Sequence, residues 1–107
     1  MNRKTRVNNR TFYVSYCELK DMPTPDIEMA DDGWEERKPY ERFYRVQNWG
    51  PEGTIWMYLA EAYYGSAKEI HVFFPNGRMW ISYGKTLKDA IKGAMKDGWM
   101  YARPVGE

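Results

Sequence analysis

The chain has 107 residues, enough for one domain with a single core, and its net charge of +1 argues against a protein built mainly to coat a polyanion. No run approaches the ~18 apolar residues of a membrane span, and the basic first ten residues lead into no apolar stretch of the secretory kind. The single cysteine, Cys17, excludes an internal disulfide and fits a reducing compartment, so a cytoplasmic protein is expected.

Residues 1–10 carry Arg3, Lys4, Arg6 and Arg10 with no acid, and read as a mobile basic arm. Thr11 to Leu19 is rich in aromatic and β-branched residues and predicts a strand, apolar enough on both faces to be central. Residues 21–41 form an acidic connection. From Glu18 to Glu41 nine acids stand against Lys20, Arg37 and Lys38, a net of −6. Thr24-Pro25-Asp26 is helix-start chemistry, a capping hydroxyl before a proline and an acid, and predicts a short helix over about 25–32 that Gly33 would stop. Connections this long are usually functional or disordered, and Trp34 stands isolated among charges.

Phe43 to Asn48 predicts a second strand. The run Thr54 to Tyr64 is ambiguous. Met57, Leu59, Ala60, Glu61 and Ala62 favour helix, whereas Trp56, Tyr58, Tyr63 and Tyr64 favour strand, and a run that is apolar all round has no period to decide between them. The reading adopted is a second helix over 52–64. Phe74-Pro75-Asn76-Gly77 predicts a bulged hairpin turn, proline supplying φ near −65° and glycine a left-handed residue. Phe73 then faces Met79, Val72 faces Trp80 and His71 faces Ile81.

The helix over 86–97 is the clearest element. Leu87, Ala90, Ile91, Ala94 and Met95 make one apolar stripe, with Lys88, Lys92 and Lys96 opposite and Lys85 one turn earlier. Thr86 is its capping residue, Gly98 its stop, and Trp99 to Ala102 a short returning strand. Residues 103–107 are a tail. The expected architecture is a single α+β domain: an antiparallel sheet of four or five strands, with the C-terminal amphipathic helix packed on one face.

Catalytic constellations are sparse. A nucleophilic site would need Cys17 activated by His71, and nothing in the sequence brings the two together. One histidine and one cysteine make a zinc site unlikely on count alone. Asp31, Asp32, Glu35 and Glu36 lack the alternating ligands and placed glycine of a calcium loop. Glu61 and Glu69 are the candidates for paired carboxylates, but no spacing singles them out. Phosphate-cradling and nucleophile-elbow motifs are absent, and no metal or cofactor is implied.

Binding chemistry is better represented. Aromatic residues make up 17% of the chain, with five tryptophans, more than a small core readily absorbs. The leading expectation is a non-enzymatic protein-binding module, an inhibitor of a host protein or nucleoprotein complex of the virus-encoded kind. Its partner contact would be Trp34 with Asp31, Asp32, Glu35 and Glu36. The alternative is a single-stranded nucleic-acid-binding protein using Arg3, Lys4, Arg6 and Arg10 together with Lys85, Lys88, Lys92 and Lys96. A small enzyme of unknown class is the third reading.

Overall fold

Asn8 and Asn9 both hold positive φ, 50° and 65°. A two-residue type I′ hairpin turn requires this, and asparagine tolerates it better than most side chains. Asn2–Val7 (β1) therefore folds back antiparallel on Arg10–Cys17 (β2), with Val7 opposite Arg10 and Asn2 opposite Ser15. Where the sequence suggested a mobile arm, residues 2–7 are an edge strand with Thr5 and Val7 buried and Arg3, Lys4 and Arg6 exposed. The computed structural model describes residues 2–23, 40–48, 50, 52–64, 66–76, 79–82 and 85–97. The expected helix over 25–32, the stop at Gly98, the returning strand near 99–102 and the tail lie outside them.

Four further strands follow: Phe43–Asn48 (β3), Ile55–Tyr64 (β4), Ala67–Phe73 (β5) and Met79–Ser82 (β6). Each pairs antiparallel with the strand before it, giving a six-stranded sheet in chain order. The last hairpin has the register its turn residues imply, with Phe73 opposite Met79, Val72 opposite Trp80 and His71 opposite Ile81. A single helix, Leu87–Asp97 (α1), completes the α+β unit. Thr86 Oγ1 caps it, accepting from the Asp89 N–H at 3.1 Å.

Helix α1 packs against β5 and β6 and also against β1, the opposite edge of the sheet. Strands in sequential order can bring both edges to one helix only if the sheet curls around it, as twisted antiparallel sheets do. The concave side holds the main core. Leu87, Ala90, Ile91 and Ala94 of the helix are buried against residues from β1 to β5, among them Phe12, Val14, Val46, Leu59 and Val72.

The second helix expected over 52–64 is instead the ten-residue strand β4. Its apolar character all round has a physical cause in the packing. Met57 and Leu59 point into the concave core, while Ala60 and Ala62 point to the convex face, where Met22, Tyr40, Phe43 and Phe73 cover them. A strand buried on both faces reads as a continuous apolar run, which periodicity cannot tell from a buried helix.

The register slips between Val46 opposite Met57 and Gln47 opposite Ile55, leaving Trp56 as the extra residue of a β-bulge. The bulge turns Trp56 toward the concave core. It meets Phe12 edge-on at 5.8 Å and carries the Arg10 guanidinium 4.4 Å from its ring centroid. The β3–β4 turn closes through Asn48 N–H to Thr54 O at 2.8 Å and Gly53 N–H to Gly50 O at 2.9 Å. A Cβ at Gly53 would run into the Asn48 carbonyl, whereas one at Gly50 would meet nothing. Gly53→Ala is therefore expected to cost about 1–3 kcal/mol in denaturant unfolding, and Gly50→Ala less than ~0.5 kcal/mol. Equal effects would show that the turn relaxes around the added methyl.

Candidate functional site

At one end of the concave face the apolar core gives way to a polar cluster built on a carboxylate. Glu61 lies on the same side of β4 as Met57 and Leu59, and is only 3% exposed. Burying an ionised carboxylate costs several kcal/mol unless partners replace its water. Here they do. The Tyr44 hydroxyl donates to Glu61 Oε1 at 2.7 Å, the Tyr63 hydroxyl donates to Oε2 at 3.2 Å, and Lys68 Nζ lies 3.4 Å from Oε1. Burial first, and then the hydrogen bond to Glu61, holds the Tyr44 hydroxyl far above the ordinary phenol range; Tyr63 is raised by the same causes.

Arg42 joins from the segment leading into β3. Its carbonyl accepts the Glu61 N–H at 3.0 Å, and its exposed guanidinium hydrogen-bonds the Tyr44 hydroxyl, keeping the side chain firmly protonated. On the other side of Tyr44, the Tyr16 ring is stacked at 5.2 Å with an interplanar angle of 30°. Tyr16 is 49% exposed, and among the described residues it is the large apolar side chain most open to solvent.

A second chain of polar groups crosses the convex face. His71, 2% exposed, bonds Tyr40 Oη through Nδ1 at 2.7 Å and Glu69 Oε2 through Nε2 at 3.1 Å. The carboxylate can only accept, so Nε2 carries the hydrogen; in the neutral ring Nδ1 then accepts from the Tyr40 hydroxyl. Tyr40 is itself buried, edge-on to His71 at 5.4 Å and to Phe73 at 5.9 Å. The chain pins the start of the β3 segment to the sheet.

The chemical pairs considered from sequence are kept apart. Cys17 aligns with Phe43, Phe43 with Ala60, and Ala60 with His71. Cys17 and His71 are thus three interstrand spacings apart, about 14 Å at ~4.8 Å each. Burial also pushes the Cys17 thiol up to about 11, against the pull of Arg45, and its Sγ rests 4.0 Å from Met22 Sδ. Glu61 and Glu69 fall on opposite faces, because Glu69 pairs with Ala62 and Glu61 with Ile70. Among the described residues no three His, Cys, Asp or Glu side chains gather as a metal site, and no helix is long and apolar enough to cross a membrane.

The basic residues are brought to adjoining elements. Arg3, Lys4 and Arg6 lie exposed on β1, and Arg10 opens β2. Lys88, Lys92 and Lys96 are exposed on α1, which packs against β1, and Lys85 is exposed just before it. Arg10 makes a cation–π contact with Trp56, and none of these cations makes an ion pair among the described residues. Asp31, Asp32, Trp34, Glu35 and Glu36 lie outside the described residues; the ends flanking them, Met22 and Tyr40, are buried on the convex face.

The Glu61 cluster was not singled out by sequence reasoning. The signal was present: once Ile55–Tyr64 is a strand, a lone acid in its apolar interior demands buried partners. Comparison with family models, curated proteins and solved structures finds no match.

The Cys17 geometry predicts slow alkylation of the native protein at pH 8 and rapid alkylation once unfolded, read by mass spectrometry. Above an ordinary thiol value of 9.0 the unfolded chain loses its proton while the folded thiol keeps it up to about 11. Folding stability from this group is therefore present below pH 9 and lost as the pH rises toward 11. Native alkylation as fast as the unfolded control would contradict the burial of Cys17.

Proposed function

We propose that this chain is a non-enzymatic binding domain for single-stranded nucleic acid. One observation carries the reading: α1 packs against β1, so cations more than eighty residues apart in sequence lie on adjoining elements. The β1–β2 hairpin holds four cations and no acid, and α1 presents its lysines on the side away from the core. Such an edge grips phosphates by releasing counterions, and makes binding steeply salt-dependent. The compensating acids are concentrated between Glu18 and Glu41, which explains how a chain of net +1 can carry a strongly basic edge.

Lysine and arginine on an edge strand also discourage sheets from joining edge to edge, so the test must separate grip from protection. Tryptophan fluorescence titrated with mixed-sequence single-stranded DNA and RNA is expected to show saturable quenching that weakens with salt. The log–log slope should be near −0.7 per phosphate contact. Reversal of Lys88 and Lys92 to Glu, or of Arg3 and Arg6 to Glu, should weaken binding about tenfold or more and flatten that slope. Reversal variants that bind as the native protein does would remove this reading.

A second reading has one observation in its favour. Met22 and Tyr40, at the two ends of the acidic segment, are both buried on the convex face, so the run with Asp31, Asp32, Trp34, Glu35 and Glu36 is anchored at both ends. In this reading the segment engages a protein partner, as an inhibitor would, with Trp34 as the anchor. Trp34→Ala is expected to leave the melting temperature within about 2 °C of native. A drop of more than ~5 °C would make Trp34 a core residue and end the second reading.

A further inference from the structure

We infer that Tyr16 is a base-stacking platform for the bound strand, with Arg42 beside it as the phosphate contact; this rests on the nucleic-acid reading above. A half-exposed aromatic ring is ordinarily free to change rotamer, and ordering it on binding costs entropy. Tyr16 is held. Its ring stacks on Tyr44 at 5.2 Å, and the Tyr44 hydroxyl is fixed between Glu61 at 2.7 Å and the Arg42 guanidinium. The buried carboxylate thus serves as the post on which the platform is mounted, and a preorganised ring binds with less loss of freedom than a mobile one.

The charge around the ring selects the ligand. Lys68 sits against Glu61 at 3.4 Å, so those two charges offset each other. The exposed Arg42 guanidinium is a second cation at the same carboxylate, and Glu41 is the second acid there, so Arg42 serves as a local phosphate contact rather than as a net positive charge of the cluster. Arg3 adds a further cation: it is exposed on the same face, opposite Val14, one strand over and two residues along from Tyr16. A planar face flanked by cations on two sides fits a planar, anionic ligand. A nucleotide unit supplies both properties, a π-face for the ring and a phosphate for the guanidinium.

Position makes the ligand a strand rather than a free nucleotide. Tyr16 follows Ser15, which pairs with Asn2 at the beginning of β1. The platform therefore adjoins the start of β1, where Arg3 shares its face. Lys4 and Arg6, opposite Tyr13 and Thr11, point to the other face, so a strand stacked on Tyr16 meets Arg3 first and reaches them only by passing round this edge of the sheet.

The test uses the full chain and two probes, a mixed-sequence single-stranded DNA and an abasic strand of the same length, which keeps the phosphates and lacks the bases. Tyr16→Leu is expected to weaken binding of the base-bearing strand about 5- to 100-fold and to leave binding of the abasic strand unchanged. Tyr16→Phe, which keeps the ring, should bind as native. Arg42→Ala tests the same subsite independently of the ring: it should weaken both strands and reduce the salt slope by about 0.7. If Tyr16→Leu binds the base-bearing strand as native does, or weakens both strands equally, stacking at Tyr16 is wrong while the basic-edge reading stands. If the native protein binds neither strand, both are wrong, and the exposed tyrosine becomes a candidate contact for a protein partner.

Discussion

Strand β4 has no face to give to water, and the rest of the molecule is arranged around that constraint. Its concave side buries Met57 and Leu59, and its convex side Ala60 and Ala62. One layer cannot cover both, so the sheet must be curled against α1 on one side and capped by the ends of the segment between β2 and β3 on the other. Each large side chain buried in this way contributes about 1.5–3 kcal/mol, and the two cores are coupled because they share the same strands.

That constraint also explains where the polar chemistry lies. Glu61 occupies a concave position at the end of the apolar row, and a charge so placed holds only if the chain brings donors to it. Tyr44 comes from β3, Tyr63 from two residues further along β4, and Lys68 from β5. Three strands therefore meet on one carboxylate, and the exposed Tyr16 and Arg42 inherit their positions from it. On the convex face the same logic fixes His71, whose two ring nitrogens are taken by Tyr40 and Glu69. Both networks tie the segment from Tyr40 to Arg42 to the sheet, one from each side.

The proposed binding surface follows from topology as much as from charge. Six strands in chain order place β1 and β6 at opposite edges, and curling around α1 returns β1 to the helix. The lysine row of α1 is where any surface helix puts its charge, and the β1 cations are where many edge strands put theirs. In this chain the two elements adjoin, because α1 packs against β1, and Tyr16 lies one strand over on the face that Arg3 shares.

Local chemistry was legible in the residues wherever it was self-contained. The Thr86 cap, the buried stripe from Leu87 to Ala94, the strand at Phe43–Asn48 and the register of the β5–β6 hairpin all follow from side chains within a few residues of one another. Asn8-Asn9 belongs to the same class, a turn signal without the usual glycine, and it makes residues 2–7 an edge strand rather than an arm. Strand β4 was a different matter. A run covered on both faces has no period, so only the layers packed against it settle its conformation. The meeting of Glu61 with Tyr44 and Lys68, the separation of Cys17 from His71, and the approach of the helical lysines to β1 are likewise long-range facts. They depend on strand order, register and curl, which no single stretch of sequence encodes because each arises from pairing between segments far apart in the chain.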